Sequence, residues 1–199
     1  MATLNKAERH YVKMNKLWGV SNRKKITYYL LADREEMIEV LGKNTSGFAK
    51  LDDCAVYSLY PFHPHEITHL VTNGGIKRRP VLALSEGVAV FYGWKNGWDG
   101  KSIEKWQNLF KRQNKIIRLK ILLDKNSFKN NSEPVFYPQY AAFVKFFIKK
   151  FGLAKFKALH KVSLSTDSFN QTAEKIEKIT GIKLSEIEQK YRQYWRIAN

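Results

Sequence analysis

The chain has 199 residues, of which 44% are hydrophobic and 14% aromatic, and its formal net charge is +17. This composition supplies a core and excludes an intrinsically disordered chain. The single cysteine, Cys54, excludes an internal disulfide and a cysteine-rich zinc knuckle. No apolar run reaches the roughly 18 residues that a membrane-spanning helix needs. The first twenty residues show no signal peptide, so an extracytoplasmic location would require a leader upstream of this chain.

The amino-terminal third predicts a mixture of helix and strand. Apolar side chains at helical spacing predict a helix over residues 11–18. Aromatic and β-branched residues predict strands over 25–31 and 54–60. Between the strands, Asp33 has the character of a helix N-cap, and Gly42 is expected to end that helix.

From Pro61 onward the pattern is helical. A helix over 64–72 is expected to stop at Asn73-Gly74-Gly75. Further helices are predicted over 80–93, 102–123 (a basic amphipathic helix) and 134–151, followed by two or three shorter helices, the last over 184–197. We therefore predict an α+β fold in a single domain, 1–199. Residues 1–24 would form an amino-terminal helix or extension, 25–75 the sheet and the helix with the histidines, and 76–199 the helical part.

The segment HEITH contains His65, Glu66 and His69 in an HExxH pattern. On a helix, residues i and i+4 lie on one face, so both imidazoles can reach one metal ion. Glu66 follows the first histidine and can face a metal-bound water without ligating the ion. Chance would produce about 0.007 such matches in a chain of this composition. The pattern therefore predicts one zinc per chain.

A catalytic zinc takes three protein ligands and a water, so one ligand is missing from HEITH. Glu86 is the best candidate, because it lies in an apolar run on the next predicted helix and would be costly to bury unpaired. The alternative is a salt bridge from Glu86 to Lys77, Arg78 or Arg79. Glu104 and Glu133 are poorer ligand candidates, since their surroundings are polar.

Three more histidines lie outside this set. His63 precedes the helix, where we expect a capping or rim position that points away from the metal face. His10 and His160 belong to no constellation and are expected at the surface or as hydrogen-bonded core residues.

At these residues the chain resembles the peptidase MA-like zinc metallopeptidases of the gluzincin group. HEITH followed by SEGVA (85–89) is the specific part of the likeness. Softer matches are YPQYAAFV (137–144), KFG (150–152), ITGI (179–182), LSEIE (184–188) and YWR (194–196). The resemblance covers residues 25–197. It implies a zincin-like fold and an enzyme that hydrolyses peptide bonds.

The resemblance implies roles for individual residues. His65, His69 and Glu86 would bind zinc, and Glu66 would be the general base. Tyr137 would donate a hydrogen bond to the oxyanion; alternatively Tyr137 only packs at the helix start, or Tyr140 takes this role. Some gluzincins carry an aspartate four residues after the glutamate ligand, where this chain has Val90, so the outer partners of the histidines stay unidentified. The motif by which larger aminopeptidase relatives bind a substrate amino terminus is not found, which favours an endopeptidase or an unusual substrate.

The positive charge indicates what kind of partner the chain could bind. Residues 101–160 carry 14 Lys and Arg against 3 Asp and Glu. The expected partner is a peptide or protein substrate with acidic character, although a solvated basic helix face gives the same pattern. No nucleic-acid-binding motif is found. Two other functions stay open: an inactive zincin-like binding module, and a basic helical protein that binds anionic polymers.

Overall fold

The computed structural model describes residues 2–20, 24–74, 79–94, 97–130 and 133–197. The chain divides into two compact units, Met1–Gly75 and Ile76–Asn199. The predicted stop residue Gly75 lies outside the described residues, as do Lys77 and Arg78 of the salt-bridge alternative.

The first unit combines a small sheet with helices. In chain order its elements are α1 (Ala2–Trp18), β1 (Thr27–Leu30), α2 (Arg34–Leu41), β2 (Gly47–Lys50), β3 (Ala55–Ser58) and α3 (Pro64–Asn73). The strand order is β1-β3-β2, with β1 parallel and β2 antiparallel to β3. The two predicted strands are confirmed, and β2 is an additional strand at one edge.

Residues at the two ends of helix α2 determine where it begins and ends. The side chain of Asp33 accepts hydrogen bonds from the backbone N–H groups of Glu35 and Glu36. Glu36 Oε2 accepts in return from the N–H of Ala32 at 2.6 Å. Gly42 ends the helix in the left-handed conformation, with φ of 66°. The predicted start and stop are confirmed.

The core of the first unit lies between α3 and the sheet. Ile67 and Leu70 of α3 pack with Ala49 of β2 and Val56 of β3. The partly buried side chains around them are Ala7, Tyr11, Ile26, Tyr28, Leu51 and Phe62. Because Ile67 and Leu70 are fixed against the sheet, the rest of α3 is held at a defined rotation.

The second unit is helical where it is described. Its elements are α4 (Leu82–Gly93), α5 (Ile103–Arg112), α6 (Leu119–Leu122), a 3₁₀ turn (Ser127–Asn130), α7 (Glu133–Phe151), α8 (Leu153–Val162), α9 (Phe169–Thr180) and α10 (Leu184–Ile197). Helix α7 carries much of the core, with Phe143 and Phe147 fully buried. A small mixed sheet followed by a mainly helical body confirms the α+β class.

The predicted continuous helix over 102–123 is wrong, because the chain breaks between α5 and α6. Asn114 adopts a left-handed φ of 53°, a conformation that Asn tolerates better than most residues. The buried amide of Gln139 on α7 then fixes the connection. Its Oε1 accepts from the N–H of Ile117 at 2.8 Å, and its Nε2 donates to the carbonyl of Lys115 at 3.0 Å. These bonds satisfy backbone groups that an unbroken helix would have paired internally.

Within the described residues, each helix is too short or too polar to cross a lipid bilayer.

Candidate metal centre

Helix α3 carries the whole HEITH segment. Pro64 occupies its first turn, where a missing backbone N–H costs nothing. His65 and Glu66 are buried, and His69 is half-buried. The predicted helix over 64–72 is confirmed with one more residue at its end, so the two histidines do lie one turn apart.

The two imidazoles of α3 converge at their Nε2 atoms. His65 Nε2 and His69 Nε2 are 3.1 Å apart, and the rings meet at 81°. Two nitrogens bound to one zinc at tetrahedral angles would lie about 3.3 Å apart, given Zn–N bonds of about 2.05 Å. The spacing and the donor atoms therefore fit two ligands of a tetrahedral zinc ion.

Glu66 lies beside a third histidine of the same unit. Its Oε1 is 3.9 Å from Nε2 of His63. The Nδ1 atom of His63 is 2.9 Å from Oγ of Ser58, and that hydroxyl oxygen already accepts from the N–H of Tyr60. If the Ser58 hydroxyl donates to Nδ1, the ring proton of His63 is on Nε2, the atom nearest to Glu66.

Burial keeps the His63 ring neutral. Loss of solvent, and to a smaller extent the charges of His65 and His69, lower its pKa to about 3. The predicted position at the helix start is confirmed, since His63 is the N-cap of α3, but its side chain makes no capping hydrogen bond. The ring is buried among site residues, so the predicted rim position is wrong.

Glu86 lies on α4 of the second unit. It is half-buried, whereas its neighbours Ser85 and Gly87 are buried. A β-carbon at Gly87 would lie 2.7 Å from the carbonyl oxygen of Tyr140 on α7. Glycine thus allows α4 to pack closely against α7 and places Glu86 next to that helix. The SEGVA segment is helical, as predicted.

The two candidate tyrosines of α7 have different surroundings. Tyr137 is half-buried, and its ring contacts Trp98 edge-on at 4.8 Å and stacks on Phe128 at 5.6 Å. Tyr140 is buried, and its pKa is raised by that burial and by the charge of Glu86. The ionisation of the Tyr140 hydroxyl therefore responds to Glu86.

The alternative carboxylates have other roles. Glu104 forms an ion pair with Lys145, and this partner holds the pKa of its carboxyl below the usual range. Glu133 is exposed at the first position of α7. Neither position suggests a buried metal ligand.

The two remaining histidines differ: His10 is half-buried and hydrogen-bonded, whereas His160 is a core residue. His10 Nε2 is 3.0 Å from Oγ1 of Thr68, and burial lowers the pKa of His10 to about 4. His160 is buried beside the ring of Phe156.

Two residues near the histidines were not assigned a site role from the sequence. His63 contacts Glu66, and Asn73 Nδ2 lies 3.2 Å from Nδ1 of His69. Asn73 is four residues after His69, so the helical spacing that pairs the histidines could also have indicated this contact. The His63–Glu66 pair is three residues apart, but the burial of the His63 ring depends on the sheet, which no local pattern contains.

Searches against protein-family models and against curated proteins found no match to this chain.

Proposed function

We propose that the protein is a zinc-dependent peptide-bond hydrolase with a zincin-like fold of the gluzincin type. The convergence of two Nε2 atoms, 3.1 Å apart on an HExxH helix, is the observation that carries the proposal. By resemblance to the gluzincins, Glu86 is the proposed third ligand beside His65 and His69. Two neutral imidazoles and one carboxylate form a donor set that catalytic zinc uses.

Zinc held by these residues would supply a Lewis acid that polarises the scissile carbonyl and lowers the pKa of a water to about 7. Glu86 reduces the net charge of the centre, and burial of His65 limits access of bulk water. Both features favour a charged transition state in a low-dielectric site.

Glu66 is the proposed general base. Its carboxylate accepts a proton from the attacking water as the water oxygen bonds to the carbonyl carbon. It then gives that proton to the amide nitrogen as the C–N bond breaks. The neutral His63 ring, whose Nε2 is 3.9 Å from Glu66 Oε1, limits the positions open to the carboxylate without neutralising it.

A tyrosine hydroxyl on α7 is the proposed second donor to the oxyanion. Tyr137 takes this role by resemblance to gluzincins. Tyr140 is the alternative, and its coupling to Glu86 supports it. The raised pKa of Tyr140 keeps its hydroxyl protonated at neutral pH, as a hydrogen-bond donor must be.

The proposed substrate is an internal bond of a peptide or protein with acidic character. The net charge of +17 favours approach of anionic chains. The lack of a recognisable motif for binding a free amino terminus favours endopeptidase action or an unusual substrate.

Metal analysis combined with a peptide-library cleavage profile tests this function. The expected result is about one zinc per chain and chelator-sensitive cleavage at internal bonds. Zinc without cleavage of any peptide would favour an inactive binding module, and a chain that binds no zinc would favour an anionic-polymer binder.

A further inference from the structure

The side chain of Asn73 contacts the outer nitrogen of His69. Asn73 is the last residue of α3, only 3% of it is exposed, and its Nδ2 atom lies 3.2 Å from His69 Nδ1. His69 thus has one ring nitrogen near His65 and the other near a buried amide. An amide offers an oxygen acceptor on one side and N–H donors on the other, and a half-turn of the group exchanges them.

The tautomer of His69 decides which face of the amide is suitable. A histidine that binds a metal through Nε2 uses the lone pair of that atom, so its ring proton resides on Nδ1. The Nδ1–H group is then a donor and needs an acceptor. Of the two faces of the Asn73 amide, the oxygen supplies that acceptor, whereas the N–H₂ face would favour the opposite tautomer.

We propose that Asn73 is a positioning residue that accepts the Nδ1–H of His69 through Oδ1 and so directs the Nε2 lone pair toward the metal. This inference rests on the proposed zinc site and assigns an outer partner to one of its ligands. Some gluzincins have an aspartate that orients a histidine ligand at the position that Val90 occupies here. In this chain the orienting residue would instead lie on α3, the helix that carries both histidines.

Zinc affinity tests the proposal, measured by competition with a chromogenic chelator. Asn73→Ala removes the acceptor and should weaken zinc binding roughly 10- to 100-fold. Asn73→Asp keeps an oxygen acceptor of the same reach and should retain wild-type affinity or exceed it. The matched control is Thr72→Val, which changes an adjacent side chain that is equally buried and should leave zinc affinity unchanged.

The tautomer itself gives a second readout that needs no metal. Long-range ¹H–¹⁵N spectra of the metal-free protein, at a pH where the ring is neutral, should show His69 protonated at Nδ1 in the wild type. Asn73→Ala should shift the ring toward the Nε2–H form, and Asn73→Asp should not.

Two results would overturn the inference. In the first, Asn73→Ala binds zinc with wild-type affinity and keeps the wild-type tautomer of His69. In the second, Asn73→Asp binds zinc as weakly as Asn73→Ala does. A wild type that binds no zinc but shows the Nδ1–H tautomer would instead refute the proposed function and leave the contact between Asn73 and His69 intact.

Discussion

Gly47 of β2 lies where any larger residue would collide with His63. A β-carbon at this position would be 2.1 Å from Cε1 of the His63 ring and 3.0 Å from Cγ of Glu66. The edge strand and the N-terminal turn of α3 are therefore in contact through a glycine. This contact ties the sheet to the side chain that we propose as the general base.

Gly47→Ala should destabilise the first unit by about 1–3 kcal/mol, because the new methyl group must displace the His63 ring or the strand. We expect the unfolding free energy to fall and any peptide cleavage to fall with it. Chemical denaturation and turnover measure the two effects. Ser46→Ala, at the preceding half-buried residue, is the control and should change little. A fully stable Gly47→Ala protein would contradict the packing described here.

The features that could be predicted from sequence are those encoded by neighbours along the chain. The α2 caps at Asp33 and Gly42, and the spacing of His65 and His69 on one helix face, depend on interactions within about one turn. Strand β2 (Gly47–Lys50) gave no signal, because four residues beginning with glycine carry no clear alternation. Its pairing with β3 determines that it is a strand.

Contacts distant in sequence explain the other failures. The break after α5 depends on Gln139, more than twenty residues away, whose amide binds the connecting backbone. The burial of His63 depends on β2 and β3, so its position before the helix suggested an exposed rim. Local pattern thus indicates the candidate ligands, whereas the partners that orient them come from tertiary structure.

Glu86→Ala should lower zinc occupancy far more than Glu104→Ala. The first change would remove one of three proposed ligands, and the second only an ion pair with Lys145 on a partly exposed surface. Metal content after dialysis against a weak chelator measures the difference, with circular dichroism to confirm that both variants fold. Equal occupancy in the two variants would remove Glu86 from the ligand set.

His10 should make the first unit less stable in acid. Its pKa is about 4 in the folded chain against 6.5 in the unfolded one, so the unfolded chain binds more protons between these values. The stabilisation is complete above pH 6.5 and is lost as the pH falls toward 4, by at most about 3 kcal/mol.

The variant His10→Gln tests this pH dependence, since it keeps an N–H donor for Thr68 but does not titrate. Its unfolding free energy should fall less between pH 6.5 and pH 4 than that of the wild type. Some pH dependence should remain, because the pKa of His63 is also lowered. If the unfolding free energies of the two proteins change with pH in parallel, His10 does not contribute to the pH dependence of stability.

The basic residues around the α5–α6 connection should influence substrate binding and leave the chemistry unchanged. Reversing charge at these exposed positions should weaken cleavage of an acidic peptide, most strongly at low salt. The variant replaces Lys111, Arg112, Lys115 and Lys120 by glutamate. Cleavage of a short neutral peptide should hardly change.

A charge-matched control makes that experiment specific. The control variant reverses the charge at four exposed positions on α1, namely Lys6, Arg9, Lys13 and Lys16. An equal loss with both variants would indicate a general effect of net charge. A large loss on the neutral peptide with the α5–α6 variant alone would place this connection at the active site.

Glu66→Gln should abolish hydrolysis while zinc content stays near that of the wild type. Glutamine has the same size and can still hydrogen-bond, so α3 and both histidine ligands should keep their positions. It cannot accept the proton of the attacking water, and loss of one acid–base group typically costs about 10²–10⁴-fold in rate. Transfer of the same proton to the leaving amine is lost as well, which can enlarge the effect.

The oxyanion tyrosine should matter less than the general base. Tyr137→Phe is expected to reduce turnover roughly 10- to 10³-fold, since one donor among several is removed. Comparison with Tyr140→Phe decides which hydroxyl of α7 acts, because each variant retains the ring and its packing. The turnover of one cleaved peptide and the metal content, both measured for every variant, rank the variants by their loss of activity. Wild-type turnover in Glu66→Gln would refute Glu66 as the general base and with it the proposed mechanism.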